Sequence, residues 1–113
     1  DKSGFGAKGY DGKVKSADNI KNFVQELIKE IDVIACGEPK IEHFATHNAD
    51  AAGYSLVQLI ETSSITGHFV DKNGDSYIDI FSCKTFDIET VKSVVNKYFS
   101  PKQIKVTYLT RQA

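Results

Sequence analysis

The chain of 113 residues has no tryptophan, only two cysteines and two prolines, and no surplus of charge of either sign. Fourteen Lys and Arg stand against fifteen Asp and Glu, a net charge of -1. That balance excludes a nucleic-acid binder that works by bulk positive charge, since such binding depends on many cations displacing counterions. No apolar run approaches the ~20 residues that cross a bilayer. The N-terminal residues show no basic stretch followed by an apolar one, so no secretory signal is read there and a cytoplasmic location is expected. Cys36 and Cys83 fit neither a zinc spacing nor a disulfide framework, and two reduced thiols are the simplest account. What remains, 41% hydrophobic and 26% charged residues, is the make-up of an ordinary globular domain with enough length for one core.

Periodicity gives the outline. Ile20, Phe23, Val24, Leu27, Ile28 and Ile31 form one helical stripe, which predicts a helix over 17–32 capped by Ser16 or Asp18 and closed before Gly37 and Pro39. Residues 41–46, 54–61, 64–70 and 76–82 are rich in β-branched and aromatic side chains and read as strands. Asn73-Gly74 between the last two predicts a two-residue type I′ turn. Asp87 caps a second helix whose face is Ile88, Val91, Val94, Val95 and Tyr98, and Ile104, Val106, Tyr108 and Thr110 alternate as a final strand. The expected fold is an α+β two-layer sandwich over residues 1–113, a mostly antiparallel sheet with two helices on one face. Residues 1–15 show no clean period and read as a loose arm or a weak edge strand.

Three motifs carry less than they suggest. Gly4, Gly6 and Gly9 spell G-x-G-x-x-G, but no strand is read before them and no helix opens at the third glycine, so a dinucleotide site is not indicated. Asp71-Lys72-Asn73-Gly74-Asp75 resembles the start of an EF-hand. However, the sixth position is Ser76 where glycine is needed, and the twelfth is Ser82 where a bidentate Glu is needed. A polar hairpin turn explains the same residues, and no metal is expected. His43 and His47 are four apart, yet Phe44 follows His43 and the H-E-x-x-H pattern is missing. Both read as structural or surface histidines.

A fourth group has more chemistry. Ser63, His68 and Cys83 can supply a nucleophile, a base and an acid, and they fall on strands that the turn at 73–74 makes neighbours. Serine and cysteine in strands are usually structural, so spacing alone does not decide between the two readings. The longer pattern does more. Gly53-Tyr54-Ser55, then Ser63, His68 and Asp79-Ile80-Phe81-Ser82-Cys83 resembles, without a gap, the central motif of the small prokaryotic S-adenosylmethionine decarboxylases over roughly residues 16–113.

That resemblance implies a self-processing enzyme. Ser63 would attack the carbonyl of Thr62, and elimination would then cut the chain and leave a pyruvoyl group at residue 63 as the cofactor. Ser55 and His68 would assist processing, and Cys83 would be the proton donor in turnover. A pyruvoyl ketone forms a Schiff base with an α-amine and accepts the electrons released as CO₂ departs. The implied reaction is decarboxylation of S-adenosylmethionine in spermidine biosynthesis. The implied assembly is a homodimer with active sites where two subunits meet.

The departures point elsewhere. The family's glutamate before the processed serine is Thr62 and its following histidine is Ser64, which offers a second serine for cleavage. The Thr-Trp-Pro-Glu after the second histidine is Phe69-Val70-Asp71-Lys72. The adenine-stacking rings are therefore lost, one at that tryptophan and the other at Ala49, and Lys72 stands where an acid would hold the ribose. Phe69 or Phe44 are the residues expected to substitute as a platform. Two alternatives follow: decarboxylation of another amino acid such as ornithine or arginine, and an uncleaved, non-catalytic relative acting as a binding or regulatory partner.

Overall fold

The computed structural model describes residues 2–8, 13–44, 52–61, 63–100 and 103–109, the first and last of these by backbone alone. The first helix, α1, runs Ala17–Glu30, and the Ser16 side chain accepts a hydrogen bond from the Asn19 backbone N–H at 3.1 Å. Its stripe of Ile20, Phe23, Val24 and Leu27 is fully buried. The helix stops short of residue 32 because Asp32 takes a left-handed conformation, φ 58°, which Asp tolerates better than most residues. The Lys84 ammonium lies 2.9 Å from the Asp32 carboxylate and fixes that corner.

Six strands are present: β1 Lys2–Lys8, β2 Lys40–Phe44, β3 Gly53–Ile60, β4 Ser63–Val70, β5 Ser76–Ser82 and β6 Gln103–Leu109. They form one antiparallel sheet in the order β2-β3-β4-β5-β1-β6. The second helix, α2, spans Ile88–Phe99, with the Asp87 carboxylate accepting from the Glu89 N–H at 2.9 Å. Two helices on one face of an antiparallel sheet are the expected α+β sandwich.

Two local expectations change. Residues 2–8 are neither an arm nor an edge: β1 pairs with β5 on one side and β6 on the other. Its glycines hide the strand period, and its partners lie more than 60 residues away in sequence. The β4–β5 turn is not type I′, because Gly74 is at φ 74° while Asn73 is not among the residues with positive φ. Val70 pairs with Asp75, so the loop has four residues; the Val70 carbonyl accepts from the Gly74 N–H at 3.0 Å and the Asn73 side chain from the Asp75 N–H at 2.9 Å. Register, and not the Asn-Gly pair, sets the loop length.

The core lies between the helices and one sheet face. Phe23 and Phe69 are fully buried and Phe99 nearly so, with ring centroids 4.9 Å apart for Phe23–Phe99 and 5.2 Å for Phe69–Phe99. β5 alternates buried Ser76, Ile78, Ile80 with exposed Tyr77 and Asp79. The opposite face of β3, β4 and β5 carries Ser55, Val57, Leu59, Ser64, Thr66, His68, Tyr77 and Asp79, none of them buried. That open face carries the candidate site.

Candidate active site

The register of β3 and β4 sets Ser55 opposite His68. The Ser55 Oγ is 3.1 Å from the His68 Nδ1, and both side chains are partly buried. Glu42 of β2 lies opposite Ser55 and Tyr77 of β5 opposite His68, so the open face carries a transverse row of Glu42, Ser55, His68 and Tyr77. Gly53, two residues before Ser55, is required for the approach of β3 to β4. A Cβ there would stand 1.7 Å from the Phe69 carbonyl oxygen.

Ser63 stands elsewhere. It is the first residue of β4, half-buried, paired with Ile60 across the β3–β4 turn and with Ser82 on β5. Cys83 follows Ser82 directly and is exposed. Ser63 and Cys83 are thus brought to one end of the sheet, and Ser55 and His68 to the other. Five residues of extended strand separate Ser63 from His68, about 17 Å. The four residues named from the sequence form two pairs that do not meet within one chain. Thr62, His47 and Ala49 lie outside the described residues.

Ser64 follows Ser63 in β4 and so projects to the opposite side of the sheet, where its neighbours are Leu59 and Phe81. His43 is bound to Asp71, Nε2 to Oδ2 at 2.6 Å, and its ring meets Tyr54 edge-on at 5.0 Å. That pairing ties β2 to the β4–β5 loop and agrees with a structural role for His43. Phe69 is fully buried against Phe99 and offers no surface to a ligand, which removes it as a stacking platform; Phe44 is 50% exposed. No group of three or more His, Cys, Asp and Glu suited to a metal occurs among the described residues. None of the described helices is long and apolar enough to cross a membrane.

Comparison with known proteins rests on this geometry. The family described as S-adenosylmethionine decarboxylase matches residues 7–112, from within β1 to beyond β6. The chain belongs to the S-adenosylmethionine decarboxylase family. Among solved structures, the adenosylmethionine decarboxylase of Aquifex aeolicus superimposes with a TM-score of 0.74 at 16% identity, covering 99% of this chain and 93% of that one. At that identity the likeness speaks for the fold. No curated protein sequence matches the chain. For an S-adenosylmethionine decarboxylase family member, the serine–histidine contact on the open face and the serine beside a cysteine at the strand ends are the groups with chemistry to offer.

Proposed function

We propose that this protein is a self-processing, pyruvoyl-dependent decarboxylase of S-adenosylmethionine. The observation that carries the reading is the position of Ser63 directly after the β3–β4 turn, in register with Ser82 and next to the exposed Cys83. A peptide at a hairpin tip can be cut without loss of the fold, because the new end at residue 63 stays hydrogen-bonded between β3 and β5.

The processing step balances within the chain. The Ser63 Oγ adds to the Thr62 carbonyl and the Thr62–Ser63 C–N bond breaks, giving an ester and a free amine. Removal of the Ser63 Cα proton expels the Thr62 carboxylate and leaves an unsaturated residue 63, which exchanges its nitrogen for water's oxygen and releases ammonia. The pyruvoyl group so formed supplies a ketone beside a carbonyl, a sink for the electrons that CO₂ leaves behind. The residues fit that role: Ser63 is its source, and the Cys83 thiol, directly after the adjacent strand, is a proton donor.

Ser55 and His68 enter through a second copy. Their distance from Ser63 leaves each chain with two incomplete half-sites, and a two-fold dimer that sets the Ser63–Cys83 end of one protomer against the Ser55–His68 pair of its partner completes both. The exposed Val57, Leu59 and Tyr77 on the same face give such a dimer an apolar surface to cover. In that arrangement His68, held by Ser55, moves protons during processing. Detection of residues 1–62 and 63–113 as separate masses tests cleavage, and release of labelled CO₂ from S-adenosylmethionine tests the reaction.

A second reading concerns the substrate alone. Val70, where the resemblance would put a stacking tryptophan, is buried and carries no ring. That loss favours a substrate without an adenosyl group, such as ornithine or arginine, and the same assay with those amino acids separates the two.

A further inference from the structure

The exit from β5 is tied to the end of α1. That helix closes in a Schellman motif: the Asp32 N–H donates to the Lys29 carbonyl at 3.3 Å and the Val33 N–H to the Ile28 carbonyl at 3.1 Å, with Asp32 left-handed between them. Lys84 folds back onto this corner. Its ammonium donates to the Asp32 carbonyl and, at 2.9 Å, to the Asp32 Oδ2, at a helix end where partial negative charge also favours a cation. The other neighbour of Cys83 is fixed as well. Ser82 is fully buried and paired with Ser63, and its Oγ accepts from the Lys84 N–H at 3.0 Å. The exposed Cys83 thus lies between a buried anchor and a two-point anchor. The same stretch of chain braces the far side of the β3–β4 turn. The Ile34 carbonyl accepts from the Glu61 N–H at 2.8 Å, and the Cys36 N–H donates to the Leu59 carbonyl at 2.8 Å. Residues 32–36 therefore hold both the strand that leads to the turn before Ser63 and the chain that leaves Ser82.

We propose that Lys84 and Asp32 are positioning residues for Cys83, a latch that holds the thiol in place beside the Ser63 end of the sheet. The need for a latch follows from where the cysteine lies. β5 ends at Ser82, so Cys83 is one residue past the strand and the ladder no longer sets its direction. A proton donor acts only within hydrogen-bond reach of the atom it serves, and a small displacement costs much of its effect. Ser82 fixes where the turn starts, and Lys84 fixes where it goes. Asp32 and Lys84 are 52 residues apart, so the fold alone brings them together. The inference rests on the decarboxylase reading for the reaction served, while the restraint on the thiol is measured without it.

The test is the rate of iodoacetamide alkylation at each cysteine of the full chain, read by peptide mass mapping, with Cys36 as the internal reference. Lys84→Ala should raise the Cys83 rate about threefold or more as the turn loosens, with the Cys36 rate unchanged. Asp32→Asn keeps a residue that tolerates the left-handed corner and should raise the Cys83 rate less. Lys84→Arg should retain the parent rate. Charge alone would move the first two variants in opposite directions, because one loses a cation beside the thiol and the other an anion. In the cut enzyme, Lys84→Ala should lower kcat about tenfold with KM within about twofold, and Lys84→Arg should preserve kcat. The thermal midpoint should move little, since the ion pair is exposed. A parent-like Cys83 rate in Lys84→Ala, opposite shifts in the two variants, an equal rise at Cys36 or an unchanged kcat in the cut enzyme overturns the latch. Intact masses of the same samples separate the two ideas. An uncut chain in which Cys83 responds keeps the latch and sinks the decarboxylase reading. A cut chain in which Cys83 does not respond does the reverse.

Discussion

Ser55 and His68 sit directly opposite each other on β3 and β4, with the serine oxygen 3.1 Å from Nδ1 of the imidazole. The contact fixes the ring's orientation and directs Nε2 away from Ser55. A histidine that moves protons needs its ring held in one orientation, and the Ser55 contact supplies that.

His68→Ala should therefore slow self-cleavage by about 10²-fold or more, the usual worth of a positioned acid–base group. Ser55→Ala should have a smaller effect in the same direction, since the ring stays but its orientation is looser. Time courses of the cleaved fraction, followed by denaturing electrophoresis, measure both. Wild-type rates in the two variants would remove the pair from the mechanism.

Cys83→Ala separates processing from turnover. The variant should cut at residue 63 as the parent does and lose about 10²-fold or more in decarboxylation. Loss of cleavage together with activity would assign the thiol to processing instead.

Mixing two inactive variants tests the shared site. In a dimer of His68→Ala with Cys83→Ala, one of the two sites keeps both native residues. Random exchange of subunits should then restore activity to about a quarter of the parent. No recovery after exchange would place all the necessary groups in one chain.

Gly53→Ala should destabilise the protein by roughly 1–3 kcal/mol, read as a lower urea midpoint, because the added methyl collides with backbone and not with a side chain that can turn aside. An unchanged midpoint would mean that β3 and β4 separate at little cost.

The two helices are joined by Glu26, whose Oε1 accepts from the Lys97 ammonium at 2.6 Å and from the Tyr98 hydroxyl at 3.0 Å. The hydrogen bond from Lys97 is the main cause that holds the Glu26 carboxyl below its ordinary 4.5. A lowered carboxyl value stabilises the fold above the unfolded-state value, and the contribution disappears as pH falls from about 4.5 through the folded-state value. Glu26→Gln should leave a flatter acid limb in a plot of thermal midpoint against pH, with the difference from the parent closing as pH falls below about 4.5. A parallel offset at all pH values would indicate lost packing and not lost charge.

The elements with local signals were legible in the sequence. The stripe from Ile20 to Ile31, the Asp87 cap and the alternation through β3, β4 and β5 each depend on residues a few positions apart, and each element formed where its pattern lies. The misread parts depend on distant partners. β1 became an interior strand because β5 and β6 flank it, and nothing within residues 2–8 reports that. The four-residue loop at 71–74 follows from the pairing of Val70 with Asp75, which overrode the Asn-Gly preference. In the candidate site, the residue types and spacings were visible, but spacing alone could not show that Ser55 meets His68 while Ser63 meets Ser82. The strand register carried that information, and it also moved Phe69 into the core.

The most direct test is the denaturing intact mass of the purified, unmutated protein. The account predicts two masses, residues 1–62 and residues 63–113, with the second lighter than its serine form and reactive toward a carbonyl reagent. A single uncut mass after prolonged incubation would contradict it and leave Ser63 and Cys83 as inherited architecture.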